Sequence, residues 1–126
     1  MRNTIISILI FFGLLAFVYY ADNSLQRLCY DISSSSEEIE FLISNDNWDA
    51  AYLKTIDVIN EIKANDMVTS IYLNHTDFDN LLNEAIKLSL YVRSEDSTES
   101  NVSVNLLKSS ADIIFNLHKA NIQNIF

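Results

Sequence analysis

The 126-residue chain contains no proline and one glycine, Gly13. Hairpins and strand-rich folds draw on these two residues for backbone angles that others reach only at a cost. Their scarcity argues against such folds and points to helix almost throughout. Cysteine occurs once, at Cys29, so no intrachain disulfide can form and no thiolate cluster can hold a metal. Cys29 falls on the apolar stripe of its segment and reads as a small buried hydrophobe, with an intermolecular disulfide as its other use. Basic residues are also few. Arg2 is the sole charged side chain before Asp22, and the remainder carries 7 Lys or Arg against 17 Asp or Glu, a balance of −10. Nucleic acid needs a basic footprint, so it is excluded as a partner. The same balance disfavours lying flat on anionic lipid.

What the chain has is a long apolar run. Thr4 to Ala21, TIISILIFFGLLAFVYYA, is 18 residues without a charge. As a helix it spans about 27 Å, close to the roughly 30 Å hydrocarbon core of a bilayer. Tyr19 and Tyr20 close it where an aromatic belt belongs. A cleaved signal peptide is the competing reading, but cutting after Ala21 would place Tyr19 where a small residue is wanted. A lipoprotein needs a cysteine directly after the run, and a type IV pilin needs an early glutamate; neither is present. The expected organisation is therefore an uncleaved anchor over residues 1–21 and an extracytoplasmic domain over 22–126. With Arg2 on one side and Asp22 on the other, the positive-inside rule puts the N-terminus in the cytoplasm. The wealth of Ile, Asn, Ser and Lys resembles a low-GC bacterium, in which the sequons at Asn74 and Asn101 would stay idle.

Beyond the run, apolar residues recur at three- and four-residue steps in four segments, predicting an all-α antiparallel bundle of about four helices. Leu25, Leu28, Cys29, Ile32, Ile39, Leu42 and Ile43 mark the first. The stripe keeps its phase across Ser33 to Ser36, so one helix should run from the anchor through this thin waist. Trp48, Ala51, Tyr52, Ile56, Ile59 and Ile62 mark the second, with Trp48 expected in the core and the helix continuing through Met67 and Ile71 to about Asn74. Phe78, Leu81, Leu82, Ala85, Leu88 and Val92 mark the third. Val102, Leu106, Ile113, Leu117 and Ala120 mark the fourth.

The breaks between stripes have capping chemistry. At Asn45-Asp46-Asn47, Asn substitutes for the missing glycine at a left-handed helix end, and Asp46 is expected to cap the second helix. In NHTDFDN, Asn74 to Asn80, Thr76 and Asp79 have capping-box spacing, Asp77 and Asp79 suit the positive end of a helix, and His75 should pack at the corner. The same stretch offers one histidine and two carboxylates for a metal, but residues two apart do not share a helix face. Asp96 and Glu99 repeat the capping spacing. His118 falls near the last helix end, where a cation is favoured. Ile125 and Phe126 give the tail an apolar finish that either docks on the bundle or touches a partner.

An apolar anchor, a long helix, N-x-x-W-D-x-A at Asn45 to Ala51, N-H-x-x-F-D-x-L at Asn74 to Leu81 and a closing N-I-F at Asn124 to Phe126 together resemble domain-of-unknown-function family 4363. Its pattern carries a second tryptophan in the second helix, where this chain has Trp48 alone. The resemblance implies an anchored helical domain of low-GC spore-forming bacteria, without assigned catalytic residues or cofactor. It also implies a neighbouring multi-pass membrane protein as a partner. The residues themselves give no reason to expect an enzyme, which needs convergent polar groups in a pocket. The expected function is a non-catalytic protein–protein interaction module held by its N-terminal helix. The alternative is a cell-surface ligand- or metal-sensing module, with Glu37, Glu38 and Glu40 as a cation face. An exposed apolar patch would favour the first, a polar pocket the second.

Overall fold

The computed structural model of the chain describes residues 1–67 and 75–125, with side chains as far as Lys119. Among these residues every regular element is helical: α1 (Arg2–Ser44), α2 (Trp48–Ala64), α3 (His75–Arg93) and α4 (Ser97–Ile125). Each helix packs on its two neighbours in a ring, α1 on α2, α2 on α3, α3 on α4 and α4 back on α1. The Lys54 ammonium lies 3.1 Å from the Glu38 carboxylate, and the Lys108 ammonium 2.6 Å from that of Glu37. With the partnering of Asp22 by His118, these pairs show that α2 and α4 both run antiparallel to α1.

α1 is a single helix of 43 residues. Its N-terminal part is long and apolar enough to cross a membrane, and its side chains from Met1 to Tyr20 are exposed. The serine waist does not break it, because Ser36 is buried and its hydroxyl donates to the Ile32 carbonyl at 2.7 Å within the same helix. Small side chains let neighbouring helices approach, and buried serines recur in the bundle at Ser89, Ser100 and Ser103. The Ser103 hydroxyl donates across the α3–α4 seam to Glu84 at 2.9 Å. Leu25, Leu28, Ile32, Ile39, Ile62, Leu81, Leu88 and Leu107 supply the largest fully buried side chains.

The two tight connections, α1 to α2 and α3 to α4, share one geometry. Asp46 has φ 56° and Glu95 has φ 55°. At the first, the N–H of Asp46 donates to Ile43 and that of Asn47 to Leu42; at the second, Glu95 donates to Val92 and Asp96 to Tyr91. This is the Schellman pattern, in which the left-handed residue is usually glycine. Asp46 is thus the last residue of one helix end and not the cap of the next. The cap position of α2 falls to Asn47, which makes no side-chain capping bond. Only three residues, Asn45 to Asn47, separate the helices, and the Schellman bonds use the last two. At the second turn the equivalent residue is Asp96, whose carboxylate accepts the Glu99 N–H at 3.1 Å. A side chain at positive φ is strained by roughly 1 kcal/mol. Asp46→Gly and Glu95→Gly should each raise the unfolding free energy, by about 0.5–1 kcal/mol after the entropy of glycine is counted, as measured by urea unfolding of the full chain.

α2 is shorter than its stripe suggests. It ends at Ala64, and Asn65 closes it with its backbone N–H on Glu61 and Ile62 and its side-chain amide on the Glu61 carbonyl at 2.8 Å. Met67, assigned to the stripe by periodicity, is exposed. The remaining predicted extension, through Asn74, lies outside the described residues.

Candidate functional site

α4 carries the largest departure from the sequence reading. Its buried face consists of Ser100, Ser103, Val104, Leu107, Ala111, Ile114 and His118, each 8% exposed or less. Val102, Leu106, Ile113 and Leu117, the stripe expected to fill the core, are 50–59% exposed. Both sets have helical spacing, so two apolar faces run along one helix. The inner one sets Val104, Leu107 and Ile114 among the small or polar Ser100, Ser103, Ala111 and His118, and packs on α1 and α3. The outer one holds large aliphatics that no described residue covers.

Charge flanks the outer stripe: Val102 and Leu106 share a groove with Glu84, Lys87 and Glu99, and Ile113 shares one with Asp77. Between Glu99 and Lys119, α4 has only two charged residues, Lys108 and Asp112. Lys108 is turned to α1, where its hydrogen bond to Glu37 holds the ammonium above its usual value. Asp112 shares a groove with Cys29 and Tyr30 of α1. Asn105, Ser109 and Asn116 are the exposed neighbours of the stripe. Neither Lys108 nor Asp112 interrupts the row from Val102 to Leu117, and exposed apolar stripes rimmed by polar residues mark contact sites.

The other predicted positions are dispersed. Trp48 is half-buried, packed against the core while also lining an open groove of about 570 Å³ with Tyr52, Leu53, Val92, Arg93 and Glu95 at the end of the bundle remote from Asp22. α3 is already helical at His75, so Thr76 lies inside the first turn and is not its cap. His75 does not pack at the corner: its side chain is 91% exposed, and its ring nitrogen lies 3.3 Å from Asp79 one turn on. A pair at four-residue spacing shares a helix face, which accounts for this partnering. Phe126 lies outside the described residues. Among the described residues no three metal-ligating side chains converge.

Two buried or half-buried groups were not legible as such. His118 is buried and its ring partners the Asp22 carboxylate, tying the foot of the bundle to the end of the apolar run. On the opposite seam, burial pushes the Glu61 carboxyl up to about 7, with a hydrogen bond and negative charge from Asp31 of α1 adding to it and Lys54 opposing. Cys29 is buried, and burial, with the charge of Asp112 adding to it, pushes its thiol up to about 12. It is therefore protonated at neutral pH and a poor nucleophile.

The Glu61 shift has a definite sign. Between its ordinary value of 4.5 and about 7 the folded chain holds a proton that the unfolded chain has lost. The stabilisation is complete below the lower value and declines as pH rises through the upper one. Glu61→Gln keeps a hydrogen-bond donor toward Asp31 without titrating. It should flatten this slope and stabilise the protein at about pH 8 by on the order of 1 kcal/mol, a figure reduced for the carboxyl's partial exposure. Urea unfolding at about pH 5 and about pH 8 checks both effects.

An all-helical bundle led by an apolar helix, with its most distinctive surface on the last helix, is the class that fold and surface define. The chain belongs to the family described as Domain of unknown function (DUF4363), whose model matches residues 19–125. The match covers the bundle and only the end of the apolar run. No curated protein and no solved structure matches the chain.

Proposed function

We propose that the protein is a non-catalytic interaction module tethered to the cell membrane. α1 crosses the bilayer with its N-terminus in the cytoplasm, and residues 22–126 stand outside. The outward stripe of α4 receives a helix of an integral membrane protein rising beside it. The observation that carries this reading is the row Val102, Leu106, Ile113 and Leu117, each half or more exposed along one face of α4. The row ends next to His118, which pairs with Asp22 at the foot of the anchor. It therefore stands across the membrane plane and reaches down to it, the placement suited to a partner leaving the same bilayer. Its aliphatic side chains suit a helix-in-groove or helix-on-helix contact, and no electrostatic match is required.

The test uses the full-length protein in its native membrane with a photoreactive residue at Leu106 or Ile113, and at Asn60 on α2 as a control. A crosslinked species from the first two positions that stays with the membrane after alkaline washing, and disappears in Leu106→Asp with helicity retained, is expected. Crosslinks to soluble proteins, to a second copy alone, or equally from Asn60 would overturn the proposal.

A further inference from the structure

We infer that the last two turns of α4, Ala120 to Ile125, pass from the inner edge of the head-group layer into the outermost hydrocarbon of the bilayer that α1 crosses, giving the bundle a second attachment to the lipid. The inference rests on the anchoring proposed above and concerns a different part of the molecule from the α4 stripe.

The first support is register. α4 runs antiparallel to α1 and remains helical to Ile125. His118 partners Asp22, so Ile125, seven residues further, is level with Leu15. Using the Lys108–Glu37 pair in place of it sets Ile125 level with Tyr20. Both levels lie inside the apolar run. Below the level of Asp22, at the outer end of the apolar run, seven residues of helix descend by up to about 10 Å, past the inner edge of the head-group layer and into the outermost hydrocarbon. Burial agrees with this: Ala21, the last residue of the run, is fully covered.

The second support is charge. Going down α1, the last charged side chain is Asp22 until Arg2; going down α4, it is Lys119. The two helices lose their charges at the same level. Below it α4 reads Ala120, Asn121, Ile122, Gln123, Asn124, Ile125, a mixture of amides that hydrogen-bond in a hydrated head-group layer and aliphatics suited to its inner boundary. Tyr19 and Tyr20 of α1 provide the aromatic belt at the same depth. Without basic residues in this segment, and with a domain of strongly acidic balance, the attachment is to zwitterionic lipid and owes nothing to anionic head groups.

The experiment uses the full chain in phosphatidylcholine nanodiscs, carrying a single nitroxide at Ile122→Cys, Ile125→Cys, Tyr20→Cys, Leu9→Cys or Ile113→Cys. Cys29, buried and protonated, is left in place. Collision rates with oxygen, which prefers lipid, and with a nickel chelate, which prefers water, are compared. Ile122→Cys and Ile125→Cys should show an oxygen-to-nickel ratio severalfold above that of Ile113→Cys and similar to that of Tyr20→Cys, unchanged at high salt. Water-like values at both tail positions beside lipid-like values at Leu9→Cys would overturn the inference and leave the anchor intact. Tail labels shielded from both reagents would place the segment against protein, and overturn it as well. Water-like values at Leu9→Cys would remove the anchor itself, and the inference with it.

Discussion

Leu107→Ala should lower the unfolding free energy of the full-length protein by about 3 kcal/mol or more, and Leu106→Ala by less than about 0.5 kcal/mol. The two leucines are neighbours in sequence and opposite in environment: Leu107 is fully buried in the α1–α3–α4 core and Leu106 stands on the outer stripe. Truncating Leu107 removes its transfer free energy and leaves a cavity, since buried serines and alanines around it offer no long side chain to collapse into the space. Truncating Leu106 removes surface already in water. Urea unfolding in detergent micelles, followed by the fluorescence of Trp48, reports both. Equal losses at the two positions, or the reverse order, would mean that α4 is turned about its axis and that the outer stripe is the core. Since a small domain has about 5–15 kcal/mol of stability in total, the Leu107 variant should also be visibly less soluble on heating.

His118→Ala should cost about 2–4 kcal/mol, because it strips one oxygen of the Asp22 carboxylate of its ring partner and leaves the Gln26 amide at 3.1 Å on the other. The replacement also empties a buried position on α4. These two effects separate in a double-mutant cycle with Asp22→Ala. Asp22 is the more exposed partner, so its single replacement should cost less, and the double variant should be more stable than the sum of singles by about 1–2 kcal/mol. Additive losses would show that His118 acts through its volume alone. His118→Gln, which keeps a donor on a shorter side chain, should recover part of the loss.

Much of the architecture was legible because the first three stripes are chemically plain. Leu25, Leu28, Cys29, Ile32, Ile39 and Ile43 on α1 and Phe78, Leu81, Ala85, Leu88 and Val92 on α3 are buried as their spacing predicts. The unbroken α1 was equally readable, since the apolar phase held through the serines. α4 misled for a physical reason. Its two faces have the same spacing, and hydrophobicity favours the face of four large aliphatics over the one on which Val104, Leu107, Ala111 and Ile114 are mixed with Ser100, Ser103 and His118. Only the close approach of α1 and α3 makes the small face the buried one, and approach distance is a property of the packed bundle. The signal that could have helped is the serine count itself, because Ser36, Ser89, Ser100 and Ser103 recur one to a turn-facing position where helices meet.

The junctions were legible as breaks and misread in detail. Asp46 looked like a cap because aspartate is a good one; it proved to be the left-handed residue because the connection has no room for both roles in sequence. Reading Thr76 as a cap places the start of α3 too late, since the helix already includes His75. Asp22 and His118 stand 96 positions apart, and periodicity carries no information on such a pairing.

The unbroken α1 makes the domain a lever. From Asp22 to Ser44 it rises about 33 Å, with no proline, glycine or turn at which it could flex. In a chain anchored as proposed, a tilt of about 10° at the bilayer displaces the far end, where Trp48 and Arg93 flank their groove, by roughly 6 Å on the same arithmetic. A rotation of the anchor about its long axis turns the whole bundle with it, since α2 and α4 are locked to α1 by Glu38, Glu37 and Asp22. Under the proposed anchoring, orientation in the lipid is converted into position and heading of the far end above it.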